Sequence, residues 1–221
     1  MIEIKDLKKI YKVKKGPEVV ALRGINITFP TCGLVFILGK SGCGKTTLLN
    51  LIGCLDKFDC GDIFFSGVSV KNFSDKEASS YRANNIGFIF QDFLLLEDVT
   101  VANNLIIASE LQGKKLTIEE VDIALEEVEM KGYLNRRSSE LSAGQKQRIA
   151  VARALIKDPK VILADEPTGN LDNENSLIIF ELLKKISAKK LVIIVSHDSE
   201  AAQKYADLIV KMVDGNIIGQ E

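Results

Sequence analysis

The stretch Gly39-Lys40-Ser41-Gly42-Cys43-Gly44-Lys45-Thr46 decides the fold. It has the G-x-x-x-x-G-K-[ST] spacing of a phosphate-binding loop. A polyphosphate needs several backbone N–H groups turned inward, and a tight turn of that kind favours glycine. A helix must start at once so that its free N–H groups and positive end face the anion. Lys45 then offers a point charge to the outer phosphates, and Thr46 offers a hydroxyl to Mg²⁺. The flanks agree. Leu34-Val35-Phe36-Ile37-Leu38 is a short apolar run suited to a strand buried on both faces, and Thr47 to Ile52 reads as a helix ending at Gly53. A strand before the loop and a helix after it imply binding of a nucleoside triphosphate.

Bulk properties narrow the field. With 221 residues the chain fits one domain, or a large one with a subdomain, and 46% hydrophobic residues supply a core. The 29 Lys+Arg nearly cancel the 30 Asp+Glu, so there is no basic field for nucleic acid. The longest apolar runs, such as Leu191 to Val195, are too short to span a bilayer, and Met1 to Lys5 alternates like a strand, unlike a leader. Cys32, Cys43, Cys54 and Cys60 form no C-x-x-C pair, which reads as reduced cytosolic thiols.

Outward from the loop, strands are expected over Ile2 to Leu7 and Val19 to Phe29, broken by Lys12 to Pro17. Gly61 to Gly67 and Ile86 to Phe90 read as further strands. Ser74-Asp75-Lys76-Glu77 is a capping box opening a short helix towards Tyr81. From Asp92 to about Glu140 the texture becomes helical. Thr117 to Glu120 is a second capping box there, with Ile118, Val121, Leu125 and Val128 on one face. A helix is expected from Ser142 to Ile156, then strands Val161 to Ala164 and Leu191 to Val195 around a helix over Asn173 to Ser187. A hairpin over Asp214-Gly215 closes the chain. Strand–helix alternation implies an α/β fold with a mostly parallel sheet.

Val161 to Ala164 runs into Asp165-Glu166. A carboxylate at the carboxyl end of a central strand can hold Mg²⁺, and Asp165 is the candidate. Glu166 is the candidate for orienting or deprotonating a water. A strand entering an acidic turn is the competing reading. His197, the one histidine, follows another such strand and is a candidate γ-phosphate contact. Gln91 follows a third and could ligate Mg²⁺ or position water; an ordinary surface glutamine is its alternative. Leu141-Ser142-Ala143-Gly144-Gln145 contains an S-x-x-Q capping box. Gly144 inside the first turn costs up to about 1 kcal/mol relative to Ala, which is sensible where something approaches the backbone closely. This is a second anion-binding helix end. Two such ends can serve one nucleotide only if they come from different copies.

The ordered set Gly39 to Thr46, Gln91, Ser142 to Gln145, Asp165-Glu166 and His197 resembles the ATP-binding-cassette ATPases along the whole chain. The resemblance implies a P-loop, RecA-like core with an antiparallel β-subdomain and a helical subdomain at about 92–157. It implies hydrolysis of ATP with Mg²⁺ on Thr46, Gln91 and Asp165, and nucleotide contacts from Gly39, Lys40, Ser41, Gly42, Cys43, Gly44, Lys45, Thr46 and Thr47. Tyr11 would stack on adenine; a tyrosine packed beside the first strand is the competing reading. It further implies a head-to-tail dimer in which Ser142, Ala143, Gly144 and Gln145 of one copy close the site of the other, with Asp172 reaching across. Ile86 to Leu95 and Glu166-Pro167-Thr168-Gly169-Asn170-Leu171-Asp172 resemble the macrolide-export, lipoprotein-release and peptide-resistance group. That group drives a permease of the cell-division type from the cytoplasmic face of the membrane. The permease is either a separate chain or the rest of a longer polypeptide. Two residues depart from the pattern. Ala143 replaces the usual signature glycine, and Cys43 stands where Ser or Gly is usual. A thiol at a helix N-terminus should ionise readily, so alkylation of Cys43 is expected to block ATPase activity, with bound ATP protecting.

A cassette ATPase of DNA repair or translation would need long coiled coils or tandem cassettes. A non-hydrolysing regulatory module would ordinarily lack the Glu166 and His197 pair. A kinase sharing the loop would not need Ser142 to Gln145.

Overall fold

The computed structural model describes residues 2–12 and 16–221. Part of the break expected at Lys12 to Pro17 lies outside those residues. The first strand runs further than the sequence pattern indicated. β1 spans Ile2–Tyr11 and pairs antiparallel with β2, Val19–Thr28, and with β4, Cys60–Phe65. A two-residue strand β5, Val68–Ser69, completes a four-stranded antiparallel sheet of order β2-β1-β4-β5.

The larger sheet has the order β10-β9-β3-β8-β7-β6. Its strands are β3 (Gly33–Leu38), β6 (Ile86–Phe90), β7 (Val161–Asp165), β8 (Leu191–Ser196), β9 (Leu208–Val213) and β10 (Asn216–Gln220). All its pairings are parallel except the β9–β10 hairpin. The hairpin turns at Asp214 and Gly215, both at positive φ, 45° and 76°, as a primed turn requires.

The continuous apolar runs have a clear use here. Successive side chains of a strand point to opposite faces, and both faces are covered. Val35 and Ile37 enter one core with α1 (Lys45–Ile52) and the antiparallel sheet. Leu34 and Phe36 enter the other core, below the helices that follow β6. Those helices are α3 (Val101–Glu110), α4 (Ile118–Glu127), α5 (Ala143–Leu155), α6 (Asn173–Ser187) and α7 (Ser199–Tyr205). α2, Asp75–Asn85, packs Tyr81 into the first core and runs past the expected end. α7 was not legible in the sequence.

The capping boxes at Ser74, Thr117 and Ser142 form as expected. Each is worth on the order of 1 kcal/mol. On α4 the expected apolar face is only partly buried. Val121, Leu125 and Val128 are, whereas Ile118 in the first turn is 56% exposed. Between β6 and α3, buried Asn104 closes the loop: its carbonyl accepts Leu96 N–H at 2.8 Å and its amide donates to Leu96, Thr100 and Ser138.

Asp207, between α7 and β9, accepts Leu34 N–H at 2.7 Å and the Lys184 ammonium at 2.6 Å. These two donors, the backbone N–H first, hold its carboxyl below the usual carboxylate range. A carboxyl lowered by folding stabilises above its unfolded pKa, about 3.9, and that contribution is lost as pH falls through the folded value. Asp207→Asn should therefore unfold at a lower temperature than the parent at pH 7. The difference should shrink as the pH is taken below about 4, as followed by thermal melts.

Candidate active site

Three neighbouring strands end at one level. In the parallel register Leu38 lies beside Ser196, and Val195 beside Asp165. On the next strand Phe90 pairs with Asp165. The residues that follow these strand ends therefore converge. Together they line a cleft of about 620 Å³ that contains Ser41, Gly42, Gly44 to Thr47, Gln91, Asp165, Glu166, Gly169 and His197, with Tyr11 and Val19 to Ala21 along one wall.

The phosphate loop has the conformation its composition requires. Gly44 caps α1 with φ 104°, and a Cβ there would sit 2.6 Å from the Ala21 carbonyl, so only glycine fits. The Lys45 ammonium donates to the carbonyls of Gly39 at 2.7 Å and Lys40 at 3.2 Å and is almost wholly shielded from solvent. The loop is braced from the far end of the chain, because Gly215 N–H donates to Cys43 O at 3.0 Å.

Thr46 Oγ1 donates to Asp165 Oδ1 at 3.1 Å. Burial pushes the Asp165 carboxyl above its ordinary value, with neighbouring Glu166 adding to that effect while Thr46 and Lys45 oppose it. A hydroxyl and a carboxylate this close suit a small hard cation that keeps waters and phosphate oxygens as its other ligands. Among the described residues no cluster of three or more His, Cys, Asp or Glu could hold a metal unaided.

Glu166 adopts φ 44°, in the left-handed region that non-glycine residues seldom visit. Strain of this kind costs about 1–3 kcal/mol and persists where surroundings impose it. Here Glu166 N–H is held by Val195 O at 3.0 Å, and Ser196 Oγ donates to Glu166 Oε2 at 3.2 Å. His197 Nδ1 lies 3.1 Å from the same oxygen. A carboxylate only accepts, so Nδ1 donates this hydrogen bond, and Nε2 points away from Glu166.

Gln91 donates to Asn170 Oδ1 at 3.1 Å, and Asn170 returns its amide to Gln91 O and Asp92 Oδ1. Behind them Gln147, fully buried on α5, donates to Pro167 O at 2.6 Å and to Phe90 O at 3.4 Å. It ties the segments carrying Glu166 and Gln91 to α5. Nothing in the local pattern around Asn170 or Gln147 signalled these contacts, which join residues far apart in sequence. Tyr11 Oη donates to Asp56 Oδ2 at 2.9 Å. Burial first, then the Asp56 carboxylate, raise the Tyr11 phenol above its ordinary range, against the lowering bond to Thr47.

The signature residues stand apart. Ser142 caps α5 and its hydroxyl accepts Gln145 N–H at 3.3 Å, but none of Ser142 to Gln145 lines the cleft. Ser142 and Ala143 are exposed. Gly144 has a reason within its own chain: a Cβ there would collide with the Asn175 side chain. Asp172 caps α6, accepting Asn175 N–H at 2.8 Å. The expectation for Cys43 needs correcting. Its side chain belongs to the core around α1, only 7% exposed, and its sulfur lies against Gly39. The thiol is sheltered from reagents because the loop turns it inward.

A phosphate loop at a strand-to-helix turn, facing a strained glutamate beside a histidine, defines a nucleoside triphosphatase of the P-loop class. The chain belongs to the ABC transporter family, whose model matches residues 22–169, and it is an ATP-binding, ATP-hydrolysing cassette of that family. It is 39% identical to the lipoprotein-releasing system ATP-binding protein LolD 2 of Chlorobaculum tepidum, over 98% of this chain and 91% of that protein. To the macrolide export ATP-binding/permease protein MacB of Rhodopirellula baltica it is 38% identical over 97% of the chain, spanning 32% of that longer protein. Among solved structures it is similar to the dimeric cassette MJ0796 of Methanocaldococcus jannaschii, with a TM-score of 0.90, 34% identity and coverage of 100% and 98% of the two chains. The post-hydrolysis dimer of the same cassette, bound to ADP and Pi, has a TM-score of 0.91 at 33% identity, with the same coverage.

Maleimide labelling of the native protein should modify exposed Cys32 and Cys60 well before Cys43. Peptide mass mapping against time reads this directly. Equal labelling of Cys43 would show that the loop opens far more than its packing indicates.

Proposed function

We propose that this cassette hydrolyses ATP as a head-to-tail dimer and powers a membrane permease of the macrolide-export or lipoprotein-release kind. The observation that carries the dimer reading is the division of anion-binding ends. The loop at α1 lines the cleft, whereas the exposed end of α5 at Ser142 and Ala143 does not. A second copy would bring its α5 end to the open side of the first copy's cleft, and the solved cassettes of similar fold are dimeric.

Within that cleft each residue has a task set by its position. Backbone N–H groups of the loop and the Lys45 ammonium hold the β- and γ-phosphates. Thr46 and Asp165, with Gln91 once released from Asn170, would hold Mg²⁺. That ion neutralises charge developing on the phosphate oxygens when it is bound. Glu166 accepts the proton of the attacking water, and its strained backbone aims the carboxylate into the cleft. His197, fixed through Nδ1, turns Nε2 towards the γ-phosphoryl group.

The helical segment at about 92–157 would form the subdomain that meets the permease. A groove lined by Phe88, Phe90, Leu94, Leu96, Ile107 and Leu111 is the surface we assign to a permease helix. Its Phe90 immediately precedes Gln91 of the ATP cleft, and beyond them Phe93 and Leu94, both at positive φ (60° and 49°), have carbonyls held by the Arg153 guanidinium. Among the described residues no helix is long and apolar enough to cross a membrane. The permease would therefore supply the anchor at the inner face. The names of the similar proteins support macrolide export or lipoprotein release as the work that is driven.

Glu166→Gln should retain ATP binding while phosphate release falls by about 10²–10⁴-fold, the usual share of a general base. A variant with near-parental turnover would remove Glu166 from the mechanism. A parent protein that binds ATP and releases no phosphate would leave only a regulatory module.

A further inference from the structure

Tyr11, the last residue of β1, is held by a charge pair between buried Lys9 and half-buried Asp56. Lys9 is 8% exposed, and its ammonium donates to Asp56 Oδ1 at 2.9 Å and to Lys57 O at 2.5 Å. The same ammonium lies 4.8 Å from the Tyr11 ring centroid, on one face of the ring. Asp56 uses its other oxygen to accept the Tyr11 hydroxyl at 2.9 Å. The turn that carries Asp56 is itself fastened to β1. Asp59 Oδ2 accepts Ile10 N–H at 2.7 Å, Asp59 N–H donates to Lys8 O at 3.0 Å, and Lys57 N–H donates to Asp56 Oδ1 at 2.7 Å.

This turn follows α1, whose N-terminus is the phosphate loop. One helix thus connects the phosphate end of the cleft to the carboxylate that anchors the ring on its wall. A buried ammonium needs such partners, because an unpaired one carries a large desolvation penalty. A partly exposed tyrosine at a strand end would otherwise sample several rotamers and lose that freedom when a base stacks on it. With a cation over one ring face, the opposite face is the one open to an aromatic ligand.

We propose that Lys9 and Asp56 are positioning residues for the nucleotide base. They lock the Tyr11 ring so that its face opposite Lys9 receives adenine. This rests on the assignment of Tyr11 as the base-stacking residue, and the experiment separates the two. KM and kcat for ATP are measured for Tyr11→Ala, Tyr11→Phe and Asp56→Ala, together with inhibition by inorganic tripolyphosphate, which has the phosphates and no base. Tyr11→Phe keeps the ring and leaves the Lys9–Asp56 pair intact, so it decides the matter even if Asp56→Ala fails to fold.

The expected result is a rise in KM of about 3–10-fold in all three variants, the scale of one aromatic contact. The value of kcat should stay within about 2-fold, and tripolyphosphate inhibition should be unchanged. Asp56→Ala should add little to Tyr11→Phe, because both cut the same link. An unchanged KM in Tyr11→Ala would overturn the base-stacking assignment itself. A raised KM in Tyr11→Ala with parental values in Tyr11→Phe and Asp56→Ala would overturn the positioning role alone. Parallel weakening of tripolyphosphate would mean a general distortion of the cleft and would also overturn it.

Discussion

The parallel register of β3, β8 and β7 sets Leu38 beside Ser196 and Val195 beside Asp165, and the chemistry follows from that alignment. Each strand is buried on both faces, so none can slip by one residue without exchanging its two sets of apolar side chains between cores. The register is therefore fixed by hydrophobic burial, and the polar residues just past the strand ends are carried to one place. A phosphate loop, a magnesium carboxylate candidate, a strained glutamate and a histidine meet there because Leu, Val, Ile and Phe are sorted correctly some ångströms away.

A second layer of contacts holds those residues once they arrive. Ser196 and Val195 hold Glu166, the C-terminal hairpin braces the loop at Cys43, and Gln147 ties the turn after Glu166 to the helix that begins at Ser142. One buried amide bonds α5 to Pro167, the residue after Glu166, and to Phe90, the residue before Gln91. Arg153 on the same helix grips the carbonyls of strained Phe93 and Leu94, next to Gln91. One helix thus bonds to the segments that follow both β6 and β7.

The sequence was informative wherever a local physical demand singles out residue types. Glycine at a left-handed turn, a lysine and a threonine at a helix start, S-x-x-E and S-x-x-Q boxes and unbroken apolar strands each mark themselves within a few positions. Long-range contacts left no such mark. Nothing beside Asp56 in the sequence marks its bond to Tyr11, and Asn170 and Gln147 likewise bond to segments distant in the chain. Positive φ at Glu166, Phe93 and Leu94 was hidden because residues that normally avoid it occupy those sites. Gly144 makes room for a close neighbour, and within this chain that neighbour is the Asn175 side chain. The direction of the Cys43 side chain is decided by packing into the core around α1, which no local pattern marks.

The central claim is that the loop at Gly39 to Thr46 is half of a site, completed by Ser142 to Gln145 of another copy. Sedimentation velocity of Glu166→Gln tests it most directly, with ATP, with ADP and without nucleotide. The account predicts a dimer with ATP alone, returned to monomer by adding Ser142→Arg, which places bulk and charge at the second anion-binding end. An ATP-saturated protein that stays monomeric, or a dimer indifferent to Ser142→Arg, would contradict it.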